Sequence, residues 1–80
     1  MRLDKFLKVS RIIKRRTVAN EACDNGMVTL NGKALRASYD VKVGDVISVN
    51  FANRTITVKV VSLLESTKKE DAESMYEIIS

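Results

Sequence analysis

The residues with the most chemical potential lie at the start of the chain. Arg2, Lys5, Lys8, Arg11, Lys14, Arg15 and Arg16 place seven cations within residues 1–16, against a single acid, Asp4. Phosphate is the group that such a set suits. Each cation attracts it, and the planar fork of an arginine can meet two of its oxygens at once. Thr17 follows directly and reads as the N-cap of a helix, whose first amides would add a second anion-favouring element beside Arg16. Taken singly, each Lys or Arg is an ordinary solvated surface residue. Gathered in one segment of net charge +6, they point to a polyanion. Asp4 lies one helical turn from Lys8 and two from Arg11. It suits either an orienting partner for those cations or a favourable acid in a first helical turn.

The rest of the chain offers little other chemistry. Histidine is absent and Cys23 is the only cysteine, which excludes an intrachain disulfide, a structural zinc site and a Cys–His nucleophile. Cys23 follows Ala22 ahead of a glycine and reads as a packed small residue. Asp40 and Asp45 lack partners for acid–base work, and no phosphate-cradling G-x-x-x-x-G-K loop occurs. We expect no enzyme, no metal and no cofactor. No run approaches the roughly 20 apolar residues of a membrane span, and no signal-peptide core is present, so no membrane partner and a cytoplasmic location are expected.

The four aromatics, Phe6, Tyr39, Phe51 and Tyr76, are too few for a platform on which single-stranded bases stack. Recognition of a folded RNA through its backbone and shape is the better expectation. The Asn31-Gly32 turn and Lys33 could add a secondary backbone contact.

The elements that must position these groups can be read from periodicity. Leu3, Phe6, Leu7, Ser10 and Ile13 share one face of a helix. At ~100° per residue, Asp4, Lys8, Arg11 and Arg15 fall opposite. A break is expected near Lys14–Arg16, then a second helix over residues 18–23 that stops at Asn25-Gly26, with glycine as the left-handed terminator. The period then changes. Met27–Leu30 reads as a strand, Asn31-Gly32 as a tight hairpin turn, and Lys33–Leu35 as the return strand. A loop from Arg36 to Asp45 leads to strands at Val46–Phe51 and Thr55–Val61, joined by a turn at Ala52–Arg54. Ser66–Ser74 is helix-compatible, and residues 75–79 are read as a last strand rather than as the end of that helix. The sum is a single α+β domain over residues 1–80, two N-terminal helices packed on a small, mainly antiparallel sheet. Residues 65–80 form an acidic C-terminal segment.

Several of these residues also fall in a familiar order. Arg2-Leu3-Asp4-Lys5-Phe6-Leu7, then Arg11, Lys14-Arg15-Arg16-Thr17, Gly26-x-Val28-x-Leu30-Asn31-Gly32 and Val41-x-x-Gly44-Asp45-x-Ile47 resemble the RNA-binding domain first seen in ribosomal small-subunit protein four, the S-four domain. The match is strongest over residues 1–50. It implies an alpha-L motif, two helices forming an RNA-binding corner. The stand-alone members include the fifteen-kilodalton heat-shock proteins, which carry a long basic C-terminal extension, and a shorter RqcP-type (YabO) group. Lys68-Lys69-Glu70-Asp71-Ala72 followed by Met75-Tyr76-x-Ile78 is similar to the end of the shorter group.

That resemblance implies a factor of bacterial ribosome-associated quality control. Such a factor binds large ribosomal subunits obstructed by peptidyl-tRNA, contacts ribosomal RNA and tRNA, and supports RqcH-dependent alanine tailing of the stalled chain. The RNA-contacting positions it implies are Arg2, Asp4, Arg11, Arg15 and Arg16. A ribosome-associated protein, monomeric when free, is expected. Two alternatives are heat-shock-type recycling of large subunits and a DNA-binding regulator. The second is disfavoured because Val18-Ala19-Asn20-Glu21-Ala22 is small, partly apolar and acidic, unlike a base-reading helix. A third reading is an accessory domain for a separate modifying enzyme.

Overall fold

The computed structural model describes residues 1–63 and 74–79. Two helices, α1 (Leu3–Val9) and α2 (Arg16–Asp24), precede five strands: β1 (Val28–Leu30), β2 (Lys33–Ala34), β3 (Val46–Asn50), β4 (Thr55–Val60) and β5 (Tyr76–Ile78). The strands form one sheet in the order β2-β1-β3-β4-β5, every neighbouring pair antiparallel. The expected α+β architecture is thus observed, including the last strand. The helix expected over Ser66–Ser74 lies, apart from Ser74 in a turn, outside the described residues.

Helices of seven and nine residues are too short to persist in water, so packing holds them. Leu3, Phe6 and Leu7 of α1 are fully buried. They share one core with Ala19, Ala22 and Cys23 of α2 and with the inward residues of the sheet. Those follow the two-residue strand period: Ile47 and Val49 on β3, Val58 and Val60 on β4. On the other face Ser48 and Thr57, directly paired, share a hydroxyl–hydroxyl bond of 3.0 Å.

Two backbone reversals set the register. Gly26, at φ +72°, ends α2, and the Met27 amide returns to the Ala22 carbonyl at 2.9 Å. Asn31 and Gly32, at φ +53° and +80°, form the expected tight turn between β1 and β2.

The structure corrects three expectations about the helices. The first helix ends at Val9, five residues before the expected break near Lys14. Arg11 there has a left-handed φ of +63°, which a helix interior cannot contain. Ile13 is buried as expected, but from the connection, where its amide bonds the Leu7 carbonyl at 3.0 Å. The second helix starts at Arg16 with Arg15 as N-cap, so Thr17 lies in its first turn and caps nothing.

The segment from Arg36 to Asp45 is tied down rather than loose. Its carbonyls at Tyr39 and Ala37 accept from the Leu3 and Asp4 amides at 2.8 and 3.2 Å, filling the start of α1, and Arg2 forms a β-bridge with Asp40. The Tyr39 hydroxyl donates to Asp45 Oδ2 at 2.8 Å, a bond that raises the tyrosine pKa.

Replacing Gly32 by Ala leaves room for the added methyl but puts an L side chain at φ +80°. We expect Gly32→Ala to lower unfolding free energy by about 1–2 kcal/mol, measured by urea titration.

Candidate nucleic-acid interface

Asp4 lies in the first turn of α1 and is only 3% exposed. A buried carboxylate requires partners, and this one has four. Arg2 meets it with two bonds, Nε to Oδ1 at 3.2 Å and Nη2 to Oδ2 at 3.3 Å. Asn20 Nδ2 donates to Oδ2 at 3.3 Å, the Lys5 amide donates to Oδ1 at 2.8 Å, and Arg16 Nη2 approaches Oδ1 at 3.5 Å. Burial alone would push the carboxyl pKa up. The bonds from Arg2, Asn20 and the Lys5 amide, with the charge of Arg16, outweigh that and leave it below its ordinary value.

This arrangement bears out Asp4 as an acid in the first turn of a helix and corrects its other reading, as a partner for Lys8 and Arg11. The wheel placed it on the exposed face with Lys8, Arg11 and Arg15. It instead sits inward and joins the residue before α1 to the first two turns of α2. Asn20, one turn beyond Arg16, was missed altogether. Its spacing from Arg16 was visible, but nothing in sequence ties residue 20 to residue 4.

The remaining expected site residues arrange around this knot. The Arg2 and Arg16 side chains are 52% and 49% exposed, so each grips Asp4 while keeping half its surface in water. Lys8 in the last turn of α1, Arg11 and Lys14 in the connection, Arg15 at the N-cap of α2, and Thr17 are all exposed. Lys5 is half-buried. Asn31 and Lys33 stand on the β1–β2 hairpin, exposed, and no described hydrogen bond or ion pair links them to the Asp4 cluster.

The ends of the two helices differ. The first amides of α1 are taken by Ala37, Tyr39 and the Asp4 carboxylate. α2 has no side-chain cap and no acidic residue in its first turn. Lys14, Arg15 and Arg16 crowd that positive helix end, an arrangement that disfavours the isolated fold and favours an incoming anion. The arrangement can therefore hold phosphates on a preset frame. A stacking platform does not arise from the aromatics. Phe6 is sealed in the core, and Tyr39, Phe51 and Tyr76 are half-buried, with Arg54 lying 5.7 Å from the Phe51 ring centre. Cys23 is buried as expected. Burial, together with the charges of Asp4 and Asp24, pushes its thiol pKa up to about 11.

Comparison with known proteins shows the family. The S4 domain family matches residues 1–47. The chain is 58% identical over 80 residues to the RQC P-site tRNA stabilizing factor of Streptococcus pneumoniae, covering 100% of this chain and 91% of that one. It is 54% identical over 79 residues to the protein of the same name in Bacillus subtilis, covering 99% and 92%. Among solved structures, the trimeric heat shock protein 15 of Vibrio cholerae superposes with a TM-score of 0.90 at 25% identity, covering 100% of this chain and 82% of that one.

The lowered Asp4 pKa fixes a sign. Above its ordinary value of 3.8 the carboxyl is charged whether the chain is folded or not, and its bonds contribute fully. As pH falls through the lowered folded value that contribution is lost. We expect stability to decline below about pH 4 in the parent and less steeply in Asp4→Asn. At neutral pH that variant should be about 1–2 kcal/mol less stable, a figure held down by the half-exposed guanidiniums. Urea titrations at several pH values, with the Asp4 carboxyl followed by NMR, check both. The Cys23 thiol should resist alkylation at pH 7 in the folded chain and react on unfolding.

Proposed function

The chain belongs to the S4 domain family and, within it, to the family of RQC P-site tRNA stabilizing factors, and from that premise we propose that it is an RNA-binding factor of ribosome-associated quality control. It engages large ribosomal subunits obstructed by peptidyl-tRNA, contacts ribosomal RNA and tRNA, and supports RqcH-dependent alanine tailing of the stalled chain. Residues 1–80 act as one RNA-binding domain, in the cytoplasm and on the ribosome, and the free protein is a monomer. The observation that carries this reading is the cationic corner at the uncapped start of α2, where Arg16, preceded by Lys14 and Arg15, meets Arg2 at one buried acid.

The proposed action is holding rather than chemistry. Arg2, Lys5, Lys8, Arg11, Lys14, Arg15, Arg16 and Thr17 form the contact surface, and Asp4 sets the directions of Arg2 and Arg16 from behind. Asn31 and Lys33 lie on the hairpin as a secondary contact. A rigid body of this size, spanning two RNA elements, keeps the tRNA in a productive position by limiting its freedom to move. The pre-tied guanidiniums reduce the ordering cost of each phosphate contact. The likeness to heat shock protein 15 makes recycling of large subunits the second reading.

Two measurements test the proposal. Affinity purification from cells should recover large subunits carrying peptidyl-tRNA together with RqcH. Recovery of free RNA alone, or of intact translating ribosomes, would overturn the quality-control reading, and large subunits without RqcH would favour recycling. Association should fall steeply with added salt as displaced counterions are released. Arg16→Ala should weaken it by about 1–3 kcal/mol. Unchanged association in that variant would remove the assigned surface.

A further inference from the structure

A concavity lies beside the Asp4 cluster and shares Arg2 and Asn20 with it. It is a hollow of about 600 Å³ between the C-terminal half of α2, β2 and the segment after it. Such a volume falls within the roughly 300–1,000 Å³ typical of small-ligand sites. Arg2 and Arg36 line it together with Asn20, Asp24, Leu35 and Ala37. Its walls are fixed by backbone bonds: Leu35 N to Val28 O at 2.9 Å, Tyr39 N to Arg36 O at 3.0 Å, Asp4 N to Ala37 O at 3.2 Å, and Met27 N to Ala22 O at 2.9 Å.

The chemistry of the lining is graded. Arg36 is exposed and its guanidinium has no hydrogen bond or ion pair among the described residues, and Arg2 is half in water. Leu35 and Ala37 supply apolar wall. Asn20 gives Nδ2 to Asp4, which leaves its Oδ1 as an acceptor, and Asp24 one turn further along α2 offers only acceptors. Cations, an apolar wall and paired acceptors match the parts of one nucleotide: a phosphate, a base face and a base edge bearing N–H donors. The Asp24 carboxylate repels phosphate and so fixes the polarity of entry.

Resting on the RNA-binding reading above, we propose that this hollow receives a single unpaired RNA nucleotide, guanine by preference. Its phosphate lies at Arg2 and Arg36, and its base lies against Leu35 and Ala37. The donor edge of guanine, an N–H beside an amino group, meets Asn20 and Asp24. Uracil presents one N–H between two carbonyls and fits those acceptors less well.

The test follows backbone amides of the full chain by NMR during titration with guanosine 5′-monophosphate, uridine 5′-monophosphate, ribose 5-phosphate and inorganic phosphate. Amides of residues 24–26 and 34–38 should shift saturably, most tightly with the guanine nucleotide. Arg36→Ala should weaken that binding about tenfold, as loss of one hydrogen bond to a charged group does, and Asp24→Asn should erase the preference for guanine over uracil. Both side chains are exposed, so neither change threatens the fold. Equal responses to all four probes, or shifts confined to residues 14–17, would overturn the hollow as a nucleotide site. Large-subunit association separates the two readings. If Arg16→Ala weakens it while the hollow binds no nucleotide, this inference falls and the proposed function stands. If Arg16→Ala has no effect on it, the assigned contact surface falls, whatever the hollow binds.

Discussion

One carboxylate taken out of water governs the arrangement of this molecule. Asp4 is sealed at the junction of the two helices, and a sealed charge is tolerable only where its hydrogen bonds are complete. Completing them requires the residue before α1, the first residue of α2 and a residue one turn further along α2 to converge on a single group. Two helices too short to stand alone thereby acquire a fixed mutual position. The same bonds aim two arginines that still keep about half their surface outside. Stability and recognition are thus not separate features of this corner. The acid that lets the helices meet also prearranges two of the cations in the proposed contact surface.

The two helix ends divide the labour. Chain carbonyls occupy the start of α1, so that end is closed to ligands. The start of α2 is left without a cap or an acid and is surrounded by cations. By the ordinary rules of helix electrostatics the second end is poorly built. It makes sense as half of an interface whose other half arrives from outside. Local rules broken without internal compensation mark such places in folded proteins.

Much of the fold was legible in the sequence because it rests on local geometry. Gly26 and the Asn31-Gly32 pair carry the left-handed angles that end α2 and turn the hairpin, and few other residues adopt them readily. The alternation through Ile47, Val49, Val58 and Val60 placed two strands within one residue of their observed ends. The list of cations near the site was legible for the same reason, as charge density is a property of composition. What could not be read was tertiary. The helical wheel extended α1 through Ile13 because that residue is truly buried, but it reaches the core from a connection that Arg11 turns sharply. The wheel also set Asp4 outside, since its partners come from a different helix. Asn20 carries no charge and stands in a helix of bland residues, so nothing local marked it.

The bonds from Leu3 and Asp4 to Tyr39 and Ala37 join parts of the chain some 35 residues apart. They make closure of the first helix a late event in the order of synthesis. A chain emerging from its amino end presents the basic segment well before the stretch that seats it has been made. A seven-residue helix does not persist alone over that interval. The corner is therefore a property of the completed loop rather than of its own residues. A fragment ending before Tyr39 would carry every cation of the site and none of its shape.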